Sequence, residues 1–270
     1  MMAVGTPRRG VRLGQAMVIE AALPIVRPES GFDLRVSTDE EAASQAATDL
    51  IIHALRARPD LLMSVATGSS PQRLYELLGA RRAAEPTLFE RLRVLKLDEW
   101  GGLALDDPGS CEAFVRMHVR RPLGIPDERY VGFDGGSAAP DAECRRVQGW
   151  LEAHGPIDVC VLGLGMNGHL GLNEPGSELQ AYCHSATLAD SSRQHPMLAR
   201  ARTQPSYGLT LGMADILRAR QILLLVFGRH KRVVLRRLLT GPITTSFPAS
   251  FLWLHGAATC LCDQAAVGDV

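Results

Sequence analysis

The clearest indication of the fold is one stretch of the sequence, IDVCVLGLGMNGHLGLNEPG, which spans residues 157–176. Its first six residues are almost all apolar, as expected for a strand that is buried on both faces of a parallel sheet. The strand runs into a loop that holds five glycines, His169 and Glu174. An apolar strand followed by a polar, glycine-rich loop is typical of the edge at which α/β proteins bind ligands.

Further apolar stretches on either side have the same character, and helical patterns separate them. Strands that alternate with helices and are apolar throughout indicate a mostly parallel sheet covered by helices on both faces. We therefore predict a three-layer, Rossmann-like α/β fold. The predicted strands are residues 61–66, 93–98, 157–162, 221–227 and 259–262. The predicted helices are residues 39–58, 72–80, 110–121, 141–154 and 229–239, with Ser37 and Thr38 as capping residues of the first.

The domain organisation is simple, because no repeat, low-complexity tract or long linker divides the chain. We expect residues 34–263 to form a single domain and residues 264–270 to be a tail. Residues 1–33 contain arginine, proline and only a short apolar piece. We expect them to be an N-terminal extension, either disordered or added by an alternative start.

The charge of the chain excludes several functions. Its 270 residues include 29 Lys and Arg against 29 Asp and Glu, so the formal net charge is zero. A chain with this balance lacks the positive field that nucleic acids or anionic membrane surfaces attract, and neither partner is expected. No apolar run reaches the roughly 18 residues that a membrane span requires. A small anionic ligand held by two or three local cations remains compatible with neutrality.

The six cysteines are scattered, and Cys160, Cys260 and Cys262 lie within strand-like apolar runs. We expect reduced, structural thiols and a cytoplasmic protein. The Cys260–Cys262 pair lacks a second ligand pair at zinc-site spacing, so no metal site is predicted.

The loop after the first predicted strand contains Gly68, Ser69 and Ser70, directly before a helix. Free backbone N–H groups, two hydroxyls and the positive end of a helix dipole suit a phosphate group. The alternative is an ordinary helix cap made by a serine.

The loop after the second predicted strand contains two adjacent carboxylates, Asp98 and Glu99. Neighbouring residues of a strand point to opposite sides, so only one of them can face a pocket, and the other is left to a helix cap or solvent. We expect Asp98, on the same face as Lys96, to be the one that can shuttle a proton. The alternative is a solvated loop aspartate.

The third loop matches Gly-x-Gly-x-x-Gly at residues 163–168, with Asp190 about twenty residues further on. We reject a dinucleotide site, because the glycines and proline of residues 171–176 prevent the helix that such a site needs. What remains is a candidate general base, His169, oriented by Glu174. A structural histidine is the alternative.

The fourth loop places Arg229 and Lys231 at a helix start. Cations there oppose the helix dipole unless an anion offsets them, which favours a phosphate partner over a solvated basic face. Together, the four loops predict a site for proton transfer on a sugar phosphate that needs no metal or organic cofactor.

The same loops resemble the glucosamine-6-phosphate isomerase/deaminase family in order and spacing. The resemblance covers about residues 34–263. It is carried by residues 66–71 (ATGSSP), 97–100 (LDEW), 162–175 (LGLGMNGHLGLNEP) and the pattern Gly228-x-x-Lys231. The related 6-phosphogluconolactonases share the early loops and the glycine-rich core, but they differ where residues 173–175 (NEP) stand. Within the family the chain is most similar to galactosamine-6-phosphate isomerases, at residues 94–100, 108–114, 194–198 and 248–255.

The resemblance implies a fold of sugar-phosphate isomerase type and a reaction. His169, held by Glu174, would open the pyranose ring, and Asp98 would carry a proton between C2 and C1. Loss of ammonia to water would then convert galactosamine 6-phosphate into tagatose 6-phosphate. Asn167 stands where some members have Asp, and as an amide it can only hydrogen-bond. The residues implied to hold the phosphate are Gly68, Ser69, Ser70 and Lys231.

Two departures from the family pattern bear on the substrate. Glucosamine members usually have Tyr at the position of Trp100, and they carry a phosphate-binding arginine in residues 197–199 that this chain lacks. Arg193 and Arg200 are the nearest replacements. The alternative functions are a glucosamine-6-phosphate deaminase that yields fructose 6-phosphate, a 6-phosphogluconolactonase, and a non-catalytic sugar-phosphate-binding protein. The implied partner is the small-molecule amino-sugar phosphate, and a homo-oligomer stays open.

Overall fold

The computed structural model describes residues 32–268. Ten strands lie in this part of the chain: β1 (Phe32–Ser37), β2 (Leu62–Val65), β3 (Arg93–Lys96), β4 (Asp98–Gly101), β5 (Tyr130–Val131), β6 (Val159–Gly163), β7 (His184–Thr187), β8 (Tyr207–Thr210), β9 (Gln221–Val226) and β10 (Ala258–Asp263). Seven of them form a parallel sheet in the order β1-β10-β9-β6-β2-β3-β5. The predicted parallel sheet is confirmed.

Helices cover both faces of this sheet. They are α1 (Glu40–Ala57), α2 (Ser69–Ala84), α3 (Cys111–Val115), α4 (Arg121–Leu123), α5 (Pro140–His154), α6 (Asp190–Arg193), α7 (Met213–Leu217), α8 (Arg232–Thr240) and α9 (Gln264–Val267). The apolar faces of α1, α2, α3 and α4 pack on one side of the sheet, and those of α5, α7 and α8 pack on the other.

Strand β6 shows why the three-layer prediction holds. Val159 and Val161 belong to the core on one side of the sheet, whereas Cys160 and Leu162 belong to the core on the other. Successive side chains of a strand point to opposite faces, so a strand that is apolar throughout requires apolar cover on both. All six cysteines are free thiols, and Cys160, like Cys260 and Cys262, is fully buried, as predicted.

A second sheet, which was not predicted, lies beside the first. It contains β4, β8 and β7 in antiparallel order. The predicted strand at 93–98 is therefore wrong at its end, because β3 stops at Lys96 and Asp98 opens β4. The backbone changes partners at Leu97, whose N–H donates to Val65 of the main sheet and whose carbonyl accepts from Leu211.

Two helix predictions also need correction. Helix α1 is capped by Asp39, whose carboxylate accepts the N–H of Ala42, rather than by Ser37 or Thr38. The predicted helix at 110–121 is interrupted by a π-helical turn, Arg116–Arg120, between α3 and α4. The predicted extension, residues 1–33, lies outside the described residues except for Phe32 and Asp33, with which β1 begins. The predicted tail, residues 264–270, starts instead with helix α9, which Asp263 caps, and residues 269 and 270 lie outside the described residues.

Candidate active site

The strand ends converge on a cavity of about 960 Å³. All four predicted loops contribute to its wall. The predicted site residues that line it are Gly68, Ser69, Ser70, Asp98, His169 and Lys231. Glu174 and Asn167 are not on the wall and contact its residues from behind. The structure therefore brings all eight predicted side chains or backbone groups to one place.

The first loop ends at Gly68, which precedes helix α2 with φ +108°. An L side chain would be strained in that conformation, so glycine allows the sharp entry into the helix. Neither serine caps the helix with its side chain, and the first turn carries no acidic residue. The backbone N–H groups of that turn are therefore available to an anion, and the alternative of an ordinary serine cap is not supported.

Asp98 begins β4 and faces the cavity, while Glu99 points the opposite way. The Oδ1 atom of Asp98 has no hydrogen-bond partner among residues 32–268. Burial, and then the charge of Glu99, raise the pKa of Asp98 to about 7, although His169 and Lys96 act in the other direction. A carboxyl group with this pKa can both accept and release a proton near neutrality.

Glu99 is fully buried and caps helix α3. Its Oε1 accepts the N–H of Cys111 at 2.8 Å, and its Oε2 accepts the N–H of Glu112 at 2.8 Å. The Nζ atom of Lys96 donates to Glu99 Oε2 at 2.7 Å and to Glu112 Oε2 at 2.9 Å. The predicted division between the two adjacent carboxylates is confirmed, since one caps a helix. The expectation that Lys96 shares a face with Asp98 is wrong, because the chain turns at Leu97 and leaves Lys96 inside this ion-pair cluster.

His169 and Glu174 are in contact, with Nδ1 and Oε2 separated by 3.4 Å. Gly165 lies against the imidazole, and a Cβ there would approach the ring to 2.4 Å, so only glycine fits. From residue 164 to 176 the chain forms turns and a short bridge and has no helix, as the rejection of a dinucleotide site requires.

Glu174 is held by further donors. Asn167 donates from Nδ2 to Oε2 at 2.9 Å, and the hydroxyl of Ser192 donates to Oε1. Burial alone would raise the pKa of Glu174, but its contacts with His169, Ser192 and Asn167 lower it to about 2. The carboxylate is therefore charged at neutral pH and can orient His169.

Lys231 lies at the cavity wall, and its Nζ donates to the carbonyl of Leu164 at 2.5 Å. Burial lowers its pKa. Of the two arginines considered as replacements for the missing family arginine, Arg200 lines the cavity, whereas Arg193 pairs with Asp190 and does not. Arg229 is also absent from the wall.

Sequence reasoning missed Ser192 and His195, both of which lie at the cavity. They belong to the segment around α6, 16 and 19 residues after Gly176, the last residue of the glycine-rich loop, and no spacing rule connects the two segments. Within residues 32–268, no three His, Cys, Asp or Glu side chains are placed to hold a metal ion. No helix in this described part is long and apolar enough to cross a membrane.

Comparison with known proteins places the chain in a family. The model of the glucosamine-6-phosphate isomerases/6-phosphogluconolactonase family matches residues 37–261. The protein AgaI of Escherichia coli (strain K12), to which a deaminase activity is ascribed, is 38% identical over 94% of this chain and 98% of its own length. A glucosamine-6-phosphate deaminase of Geobacillus sp. (strain WCH70) is 36% identical over 85% of this chain and 92% of its own length.

Solved structures of the same family have the same fold. A monomeric glucosamine-6-phosphate deaminase has a TM-score of 0.81 and 32% identity, and the match covers 87% of this chain and 98% of the other. A 6-phosphogluconolactonase from Trypanosoma brucei has a TM-score of 0.70 over 87% and 97% of the two chains, but at 22% identity it shows a shared fold only.

These likenesses define an enzyme of the amino-sugar-phosphate isomerase and deaminase class. The chain belongs to the glucosamine-6-phosphate isomerase/6-phosphogluconolactonase family. The resemblance predicted from the sequence is thereby confirmed, as is the fold.

Proposed function

We propose that this protein converts galactosamine 6-phosphate and water into tagatose 6-phosphate and ammonia. One observation supports the proposal most strongly. Asp98, a buried carboxyl group whose Oδ1 has no partner among residues 32–268 and whose pKa is raised to about 7, shares a cavity with His169, which Glu174 contacts, and with the first turn of helix α2. The first group suits proton transfer at carbon, the second proton transfer at oxygen, and the third a phosphate.

The reaction begins with ring opening. His169 takes the proton from the hydroxyl on C1 and delivers it to the ring oxygen, which releases the open-chain aldehyde. Glu174 keeps the imidazole in place and stabilises its charged form, because it contacts Nδ1 at 3.4 Å and is itself ionised. The ring nitrogen that faces the cavity is then free to exchange the proton.

Isomerisation and deamination follow. Asp98 removes the proton from C2 and returns it to C1, while the aldehyde oxygen gains a proton and the amine nitrogen loses one. The C1 aldehyde thereby becomes an alcohol and the C2 amine becomes an imine. Water adds to this imine and ammonia leaves, which gives the ketose. The raised pKa of Asp98 makes its carboxylate a stronger base than an exposed aspartate, at the cost of a smaller ionised fraction near neutrality. The imine forms on the substrate's own amine, so the proposed route uses no cofactor.

The phosphate group is assigned to the part of the cavity wall formed by the start of α2 and by Lys231. The N–H groups of Ser69 and Ser70 at the start of α2 provide partial positive charge, and Lys231 adds a full one. Arg200, on the same wall, is the cation that can replace the missing family arginine.

We choose the galacto substrate because of where the segments that resemble galactosamine-6-phosphate isomerases lie in the structure. Three of the four segments that resemble galactosamine-6-phosphate isomerases contribute residues to the cavity wall, among them Trp100, Phe114 and His195. Segments that face the substrate are the ones that can distinguish two hexose epimers. The cytoplasmic location expected from the free thiols is part of the same proposal.

A coupled ammonia assay with galactosamine 6-phosphate and glucosamine 6-phosphate tests the proposal. We expect the larger kcat/KM with the galacto compound, and tagatose 6-phosphate as the ketose. The reverse preference would make the protein a glucosamine-6-phosphate deaminase. Hydrolysis of 6-phosphogluconolactone without release of ammonia from either amino sugar would reject deamination, and saturable binding without any turnover would indicate a sensor of sugar phosphates.

A further inference from the structure

His195 lies in the cavity wall and has no role in the steps above. It precedes the helical turn Pro196–Arg200, and its Nδ1 accepts the backbone N–H of Met197 at 3.3 Å. A neutral imidazole carries one proton, and a nitrogen that accepts a hydrogen bond cannot hold it. The local backbone therefore fixes the tautomer of His195 with its proton on Nε2.

This Nε2–H group faces the start of helix α2. The Nε2 atom lies 3.8 Å from the point at which a Cβ of Gly68 would stand, so the imidazole edge lies directly over the glycine. The ring of Trp100 lies on another side, with 5.8 Å between the ring centroids. Nε2 has no hydrogen-bond partner among residues 32–268. A donor of fixed orientation is thus directed at the place to which the phosphate is assigned.

The surroundings of His195 keep it neutral. Burial lowers its pKa, and the neighbouring His169 and Lys231 lower it further, because both can carry positive charge. A neutral imidazole in this tautomer can still donate one hydrogen bond to an anionic oxygen, and it adds no further positive charge beside Lys231 and His169.

We infer that His195 is a phosphate-binding residue, which donates its Nε2–H to an oxygen of the sugar phosphate already bound by the N–H groups of Ser69 and Ser70. This inference rests on the proposed function, which assigns the phosphate to the start of α2. It makes His195 a contributor to substrate affinity and leaves proton transfer to Asp98 and His169.

The test measures binding without turnover. Galactitol 6-phosphate has neither the aldehyde nor the amine and cannot react, and galactitol is its control without phosphate. Calorimetric titration of the full chain and of His195→Ala, His195→Gln and His195→Asn compares their dissociation constants. A hydrogen bond to a charged group is worth roughly 10- to 100-fold in affinity. His195→Ala should lose this factor for galactitol 6-phosphate and nothing for galactitol.

The two amide variants separate a hydrogen-bonding role from a packing role. A glutamine can place its N–H₂ near the position of Nε2 and should recover most of the affinity, whereas an asparagine reaches only the position of Nδ1 and should not. With the reactive substrate, His195→Ala should raise KM by the same factor while kcat changes less than about threefold.

Three results would overturn the inference: an unchanged affinity of His195→Ala for the phosphate compound, an equal loss for galactitol, or a failure of His195→Gln to exceed His195→Asn. The proposed function is judged separately by ammonia release. Tight binding of galactitol 6-phosphate that depends on His195, in a protein that deaminates no amino sugar, would uphold the inference and reject the function.

Discussion

The strand end at Asp98 and the loop at Glu174 each bring a carboxyl group to the same cavity, and their surroundings are opposite. Glu174 receives donors from Asn167 and Ser192 and contacts His169, and its pKa is lowered to about 2. Asp98 is buried beside the charge of Glu99, its Oδ1 has no hydrogen-bond partner within residues 32–268, and its pKa is raised to about 7. Hydrogen-bond donors and burial, rather than residue type, therefore decide which carboxylate exchanges protons.

The difference between the pKa values of Asp98 and Glu174 has a simple structural origin. Asp98 opens a strand whose neighbouring carboxylate, Glu99, accepts two helix N–H groups and a lysine, so the donors of this region are used on the far side of the strand. Glu174 lies in a loop whose turns direct donors inward. The proposed division of labour predicts different consequences when each carboxylate is neutralised.

The largest effect is expected for Asp98→Asn. The amide has nearly the same shape but cannot take the proton from C2, and general acid–base groups are worth roughly 10² to 10⁴ in rate. We expect kcat to fall by about 10³-fold or more, with KM changed only a few fold, in the coupled ammonia assay. Asn at this position with undiminished turnover would exclude Asp98 as the proton carrier.

The same variant should lower activity but raise the stability of the folded protein. The folded protein holds the Asp98 proton more tightly than the unfolded chain, so the free energy of unfolding of the wild type falls as the pH rises from the ordinary aspartate pKa of 3.8 towards 7. At pH 8, Asp98→Asn should raise the free energy of unfolding by as much as roughly 4 kcal/mol.

Glu174→Gln is the counterpart in that measurement. The lowered pKa of Glu174 stabilises the folded protein above its ordinary pKa of 4.5, and this contribution is lost as the pH falls towards 2. The variant should therefore be less stable than wild type at pH 8. Urea unfolding at pH 8 of both variants and wild type checks the pair of signs, and a destabilised Asp98→Asn would contradict the buried, unpaired state of that carboxyl group.

Glu174→Gln should have the second largest effect on rate. The amide is neutral and cannot stabilise a protonated His169, but Asp98 and the substrate contacts remain. We expect kcat to fall by about 10²-fold, which is less than for Asp98→Asn. A substrate analogue that cannot close its ring but can still be deaminated separates ring opening from proton transfer at C2, since it bypasses the step assigned to His169. It should restore much of the rate of Glu174→Gln and none of that of Asp98→Asn.

The pH dependence of kcat/KM sharpens the comparison further. Because Asp98 must be ionised to accept the C2 proton, activity should rise with pH through a midpoint near 7. Removal of the neighbouring charge in Glu99→Gln should move that midpoint to lower pH by roughly half a unit to one unit. The midpoint should stay in place in an active Ser192→Ala variant. If the midpoint of the pH profile is the same in Glu99→Gln as in wild type, a group other than Asp98 determines the pH dependence.

The sequence predicted the layers of the fold because burial on both faces leaves a plain signal, a strand without polar residues such as β6. It did not predict the antiparallel sheet, in which β4 and β7 are only four residues long and contain polar residues. The turn at Leu97 left no signal either. Its two hydrogen bonds go to Val65 and Leu211, which lie far apart in the sequence.

Much the same holds for the site. Residues that follow buried strands, such as Asp98, His169 and Lys231, could be found because parallel strands end at one edge of a sheet. Ser192 and His195 could not be placed at the site, although residues 194–198 carry part of the family resemblance, because no buried strand precedes them and their position is determined by tertiary packing. The tautomer of His195 is set by the backbone N–H of Met197, and Glu99 is held by the N–H groups of Cys111 and Glu112. No sequence pattern specifies these contacts.

The smallest effect is expected for a variant of Ser192, one of the residues that contact Glu174. The hydroxyl of Ser192 donates to Oε1 of Glu174 and lies 3.4 Å from Nδ1 of His169. Ser192→Ala should lower kcat by roughly 3- to 10-fold, since a single hydrogen bond to a charged group is lost while Asn167 still donates to the carboxylate. Ser191→Ala is the matched control, because Ser191 lines the same cavity but its hydroxyl accepts only from Nδ2 of Asn167, at 3.3 Å, among residues 32–268 and does not bind Glu174. If the two variants lose activity equally in the ammonia assay, the pKa of Glu174 does not depend on Ser192, and the contrast with Asp98 rests on His169 and Asn167 alone.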